Sequence, residues 1–240
     1  MTAAPSAEPM SRRDRVRAAT VAEIKQTARR LLVDQGADGV SLRAIAREMG
    51  MTAPALYRYY DSHETLHAAL ADDLFADLVA ALVAGRDAQP DADVLVRAAD
   101  TVRAFRRWAV DNPREFAVIF GRPIPTLADF GHSELPNCEL FGATFMALFA
   151  EIWQHRPFPV RPDAEVDPAL AEQLRQWVAQ TGIDLPLGAL VVYLGLWVRI
   201  YGLVALEVFG HLQWALTEVG PLFETLIADM IRQLYDGGTP

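Results

Sequence analysis

The sequence predicts an all-α protein: an N-terminal three-helix helix-turn-helix domain followed by a larger C-terminal helical bundle. Three observations carry that expectation. Apolar residues recur three and four apart along most of the 240-residue chain, and no run alternates as a strand would. Pro and Gly gather at 121–136, 156–168 and 182–188, where they separate long helical stretches. Charge is divided unevenly. From Ser11 to Tyr60 there are ten Lys and Arg against five Asp and Glu, a local net of +5, whereas the whole chain carries −9. A basic head on an acidic body points to a head that meets a polyanion.

The elements follow in order. Residues 1–11 lack an apolar signal-peptide core and read as a disordered arm. Val21, Ile24, Ala28, Leu31 and Leu32 share one helical face, and Gly36 is placed to end that helix. Ser41 is a good N-cap for a second helix carrying Leu42, Ile45, Ala46 and Met49, with Gly50 just after it. Thr52 caps a third, short helix with Pro54 in its first turn. Leu66, Leu70, Leu74, Leu78 and Leu82 line a long fourth helix. Further helices are expected at 92–112, 114–120, 137–155, 168–181, 186–212 and 218–235.

The second and third helices have a specific spacing. Counting from Leu42, Ile45 is fourth, Ala46 fifth, Gly50 ninth and Leu56 fifteenth. A steep helix crossing needs a small residue where the backbones approach, which Ala46 supplies, and Gly50 accepts positive φ in the turn. Ile45 and Leu56 then fill the wedge. This is helix-turn-helix geometry, in which the segment Thr52–Tyr59 would lie in the major groove.

Other chemistry is thin. HETLH, residues 63–67, matches H-E-x-x-H, in which two histidines one turn apart grip zinc. A zinc site needs a third ligand, and Leu70 and Asp73 occupy the places where the extended motif would continue. The sequence has no nucleophile elbow, P-loop or dinucleotide fingerprint, and His132, His155 and His211 have no partner at ligand spacing. An enzyme is therefore not expected, nor a metal or cofactor. One cysteine, Cys138, excludes an internal disulfide, fits a reducing cytoplasm and reads as a small buried residue. Leu185 to Val198 is uncharged, and the apolar run resumes after Arg199 to Leu206. With Arg199 and Glu207 in or near the span, it reads as a buried or subunit-facing helix rather than a membrane crossing.

The stretch "GVSLRAIAREMGMTAPALYRYYDSHETL" resembles the DNA-binding signature of the TetR, or tetracycline-repressor-like, regulators. The likeness covers residues 15 to 84. "FRRWAVDNPREFAVIFGRPIP" and "LWVRIYGLVALEVFGHL" are similar to one branch of that family, with Tyr201 standing where its Trp-x-x-x-His-Gly element has histidine. The resemblance implies an arm at 1–11, a DNA-binding domain at 12–61, a connecting helix at 62–84 and a ligand-binding and dimerisation domain at 85–240. It also implies a cytoplasmic homodimer on an inverted-repeat operator in double-stranded DNA, most simply a repressor, with a four-helix interface from Leu185–His211 and Glu218–Tyr235. A helical interaction protein or lipid carrier without DNA activity is the competing class, with a zinc hydrolase far behind.

Side-chain chemistry distributes the expected contacts. Ser41, Thr52, Tyr57 and Tyr59 offer hydroxyls to phosphates. Arg43 is suited to a guanine, whose O6 and N7 a guanidinium bonds together. Ala53, Pro54 and Ala55 offer apolar contacts to thymine methyls, and Arg58 belongs to the same basic surface. By resemblance, His63 stands where the family has a phosphate-binding lysine. Asp61 and Glu64 are expected to form a capping pair there. An effector is expected among Trp108, Phe116, Phe120, Arg122, Phe145, Trp197, Arg199 and Tyr201, with His132 and Asn137 as further polar candidates.

Overall fold

The computed structural model describes residues 11–121 and 135–236. Residues 1–10 of the arm expected at 1–11, Arg122 and His132 lie outside the described residues, while Ser11 is the N-cap of the first helix. All described elements are helical, as the periodicity predicts, and none is a strand. The chain divides between Ala71 and Asp72 into two compact units.

The first unit contains α1 (Arg12–Gln35), α2 (Leu42–Glu48), α3 (Ala53–Leu56) and the opening turns of α4 (His63–Asp87). Ser11 Oγ accepts the Asp14 amide at 3.1 Å and starts α1, which ends at Gly36. Ile24, Ala28, Leu31, Leu32, Ile45, Ala46, Leu56 and Leu66 are buried; Val21 and Met49, expected on the same faces, are only half-buried. Each fully buried Leu or Ile stabilises the unit by about 1.5–3 kcal/mol relative to exposure.

Two helix starts differ from the sequence reading. Thr52 sits at the N-cap of α3, yet its side chain makes no cap hydrogen bond. At α4 the capping pair is Ser62 and Thr65, not Asp61 and Glu64. The Thr65 amide donates to Ser62 Oγ at 3.1 Å and the Ser62 amide donates to Thr65 Oγ1 at 3.3 Å. The helix begins at His63, so Ser62 holds the N-cap position and Thr65 the third helical one, the spacing a reciprocal cap requires. Asp61 joins from outside by accepting the Thr65 hydroxyl at 2.9 Å.

The second unit holds the rest of α4 with α5 (Val94–Asp111), α6 (Pro113–Phe120), α7 (Pro136–His155), α8 (Pro168–Thr181), α9 (Leu187–Val208) and α10 (Gly220–Asp236). Helix α5 packs against α6, α7 and α9, and α8 covers part of α9. Asn137, at the start of α7, donates twice to the Asp72 carboxylate, at 2.9 and 2.8 Å, and so ties α7 to α4.

Helix α9 is shorter than the 186–212 expected. The His211 amide donates to Leu206 O at 2.8 Å and the Gly210 amide to Glu207 O at 3.0 Å, with Gly210 at φ 71°. That paired six-to-one and five-to-two closure ends a helix, and Gly210 carries its positive φ without a Cβ clash. The two charges on α9 do not meet each other. Arg199 donates to Gln233 of α10 at 2.7 Å, and Glu207 accepts a bidentate pair from Arg106 of α5 at 2.7 and 2.5 Å. Helix α9 has the length and apolarity of a membrane span, but only 28% of its most apolar window is buried within this chain. Burial by its own chain is thus less complete than the sequence predicts.

Candidate nucleic-acid interface and internal cavity

The turn between α2 and α3 is built by one backbone motif. The Met51 amide reaches Ala46 O at 2.8 Å, the Gly50 amide reaches Arg47 O at 3.3 Å, and Gly50 has φ 64°. The glycine and the small Ala46, read from spacing, thus occupy the two positions that set this turn. Ser41 caps α2 by accepting the Ala44 amide at 3.1 Å. The segment expected as Thr52–Tyr59 is regular helix only over Ala53–Leu56. Tight turns then carry the chain to Tyr60, whose amide still bonds Leu56 O at 3.2 Å.

Arg43, Thr52, Pro54, Tyr57 and Arg58 are exposed; Ser41, Ala53, Ala55, Tyr59 and His63 are half-buried. Arg17 of α1 lies 5.2 Å over the Tyr59 ring and donates to Arg58 O at 3.5 Å. That contact props the C-terminal end of the α3 segment and holds its aromatic ring in place. The exposed Arg30–Glu48 pair, 3.0 Å apart, also links α1 to α2, though a solvated pair contributes under about 1 kcal/mol.

The two histidines of HETLH have their rings 4.3 Å apart, and His63 Nε2 is 2.8 Å from Val40 O. His67 is buried. Among the described residues no group of three His, Cys, Asp or Glu side chains is placed to hold a metal ion.

The second unit holds a half-open cavity of about 800 Å3. Its wall is aromatic: Phe75 of α4, Phe120 of α6, Phe141 and Phe145 of α7, and Trp197 and Tyr201 of α9. Phe105 of α5, fully buried, is the hub of this cluster, with ring centroids of Phe116, Phe120, Phe141, Phe145 and Trp197 all within 6.3 Å. Trp197 and Tyr201 stack with centroids 5.5 Å apart and planes 25° apart. Cys138 also lines the cavity and is half-buried rather than buried. Burial, with Glu139 and Asp72 nearby, pushes its thiol up to about 11.

Of the expected effector residues, Phe120, Phe145, Trp197 and Tyr201 line this cavity, whereas Trp108, Phe116 and Arg199 do not. Trp108 and Phe116 are packed core, and Arg199 turns to α10. Asn137 is committed to Asp72. Phe75 and Tyr193 are wall residues that sequence reasoning missed. Phe75 follows Leu74 on a helix whose leucine ladder reads as core, and Tyr193 lies in the uncharged run of α9. The α9 run has no sequence signal separating a wall from a core.

A basic helix-turn-helix unit followed by an acidic helical unit with an aromatic-walled cavity defines a class, the DNA-binding transcriptional regulators. Residues 24–70 match the model of the tetR family of bacterial regulatory proteins, and residues 99–230 match that of the tetracyclin repressor-like C-terminal domain. The chain belongs to the TetR family, whose members are regulators rather than enzymes. It is 34% identical over 215 residues to the HTH-type transcriptional regulator Rv1816 of Mycobacterium tuberculosis strain H37Rv, covering 85% of this chain and 87% of that one. The same figures hold for the HTH-type transcriptional regulator Mb1846 of Mycobacterium bovis. Among solved structures, SCO4313, described as a regulatory protein, superposes with a TM-score of 0.67 at 30% identity, over 92% of this chain and 98% of that one. A protein of Streptomyces coelicolor A3(2) described as a TetR family transcriptional regulator shares the fold, with a TM-score of 0.51 at 20% identity, over 91% of this chain and 100% of that one.

Proposed function

We propose that this regulator is a cytoplasmic homodimeric repressor, released from an inverted-repeat operator by an apolar or aromatic small molecule bound in the cavity. The cavity itself is the observation that carries the reading. A space of about 800 Å3 with an aromatic wall is the size and chemistry of a small-molecule site, and a helical bundle of this size does not need it for stability. Support for a dimer comes from α9, whose apolar surface is largely uncovered within one chain: Val198 is 67% exposed, and Trp214 just beyond the helix is 86% exposed. In this reading residues 12–61 bind DNA, 62–84 connect, and 85–240 bind ligand and partner. On the DNA, Ser41, Thr52, Tyr57 and Tyr59 hold phosphates, Arg43 reads guanine, Ala53, Pro54 and Ala55 touch base methyls, and Arg58 and His63 flank them.

The test is selection of bound sites from random duplex DNA, followed by titration of the selected site with a library of aromatic compounds. An inverted repeat released by one chemical class supports the proposal. Selection of no sequence, or of a site that no compound releases, counts against the corresponding half of it.

A further inference from the structure

A second, smaller recess of about 90 Å3 lies between α5, α7, α9 and α10. Its lining differs in kind from that of the large cavity. Leu95 and Val102 of α5, Leu148 and Ile152 of α7, and Ile227 and Met230 of α10 give it aliphatic walls. Three residues line both spaces: Phe145, Tyr193 and Trp197. They form the partition between an aromatic chamber and an aliphatic one. Each of the three is half-buried, unlike the hub Phe105, which is fully buried and held on all sides. Each ring packs against neighbours on one side and faces open space on another, so a rotamer change here meets less packing than at the hub.

We propose that the two spaces form one ligand site, and that the effector carries an aromatic ring system with a short, unbranched alkyl tail. The rings occupy the large chamber against Phe141, Trp197 and Tyr201, and the tail passes the partition into the recess. This rests on the effector reading of the cavity given above. Volume sets the tail length. A cavity of about 150 Å3 takes the six carbons of a benzene ring, so a recess of about 90 Å3 takes about three or four, the room of a propyl or butyl chain. Chemistry sets the end of the tail. Apart from the shared Tyr193 and Trp197, every residue lining the recess is apolar, so a terminal carboxylate or phosphate would be buried without a counter-charge. A methyl end loses nothing there. Tyr193 stays a neutral phenol at the partition, because burial pushes it up to about 12. The recess also gives the ligand a contact with α10, which the large cavity does not touch.

The experiment uses the full chain and a series of 6-alkyl-2-naphthols, from methyl to octyl, titrated by calorimetry. Affinity should rise about fourfold per methylene, the equivalent of about 0.8 kcal/mol each, up to propyl or butyl, and then level or fall. Ala98→Leu and Ala99→Val each add volume at the recess wall. In whichever of them keeps the wild-type melting temperature, the optimum should shorten by one or two carbons, with the methyl compound unchanged within twofold. An affinity that climbs through octyl alike in wild type and variants, or ignores chain length, overturns the two-chamber site and leaves the effector reading intact. Failure of every member to bind the wild type overturns both.

Discussion

The imidazole of His63 places Nε2 2.8 Å from the carbonyl oxygen of Val40, the residue just before the N-cap of α2. To hold that bond, Nε2 must carry a hydrogen and donate it. The lone pair that a zinc ion needs is then absent from the same nitrogen. The first turn of α4 is thereby fastened to the entry of the helix that precedes the recognition segment.

His63→Ala should accordingly loosen the DNA-binding unit slightly. Loss of one neutral hydrogen bond costs about 0.5–1.5 kcal/mol, read as a small drop in melting temperature with the fold intact. On the proposed reading, in which His63 flanks the DNA contacts, operator affinity should also fall modestly. Purified wild type should contain no stoichiometric zinc by elemental analysis. Zinc at one equivalent, lost together with thermal stability on substitution, would reverse this account of HETLH.

Arg43 is exposed at the second position of α2, two residues after the Ser41 cap, and among the described residues its side chain has no partner that docking would have to displace. Arg43→Ala should cost about 1–3 kcal/mol of operator affinity and relax preference at one base pair in each half-site. Site selection with the variant reads both effects. An unchanged selected motif would remove Arg43 from base recognition.

How far the sequence reaches is clear from particular residues. Gly50, Ala46 and the Ile45/Leu56 wedge were legible because the turn depends on backbone conformation and residue size at fixed spacing. The capping pair at α4 lies one position later than expected, since Asp-Ser-His-Glu-Thr offers two overlapping caps and only the true start of the helix chooses between them. The cavity wall was half legible. Aromatic residues were visible, but which of them face empty space depends on how α5, α7 and α9 cross, and nothing local in the sequence encodes that. Hence Phe75 and Tyr193 line the cavity without a local sequence signal, while Trp108 and Phe116, expected there, are core.

Helix α9 supplies a test of the dimer. Val198 is the most exposed large apolar residue on it, so a charge there should leave the isolated chain folded. Val198→Glu should give a monomer by sedimentation at micromolar concentration, with helical content retained and operator binding lost at the same time. An inverted repeat is read only by two heads, so the two losses should track each other. A folded wild-type monomer at that concentration would sink the proposal.

Cys138 reports on the cavity by its reactivity. With the thiol held near 11, above its ordinary 9.0, the thiolate fraction at pH 8 is lower than that of a free cysteine. Alkylation by iodoacetamide should therefore be slow at pH 8 and accelerate as pH rises toward 11. A native state that favours the protonated thiol also loses that part of its stability as pH rises through this window, from the unfolded value to the folded one. Reaction as fast as that of the denatured chain at pH 8 would show that the thiol is not buried as described.

An effector should act through Trp197. It stacks on Tyr201 5.5 Å away, and both rings form the cavity wall, while Trp108 does not reach it. Binding of an aromatic compound should quench tryptophan fluorescence, and Trp197→Phe should remove the part of that quenching not due to Trp177, the other tryptophan lining the cavity, whereas Trp108→Phe should not change it. Release from DNA requires more than binding. The ligand must favour the state whose heads are wrongly spaced for the groove, and a ligand with equal affinity for both states shifts nothing. A differential affinity of about 100-fold supplies about 2.7 kcal/mol, enough to empty an operator held at ordinary occupancy. Reciprocity gives an independent check on the same number, because saturating operator DNA should weaken ligand binding by that same factor. A compound that quenches Trp197 fully, yet binds equally well with and without operator, would show that the cavity is occupied without controlling the DNA-binding unit.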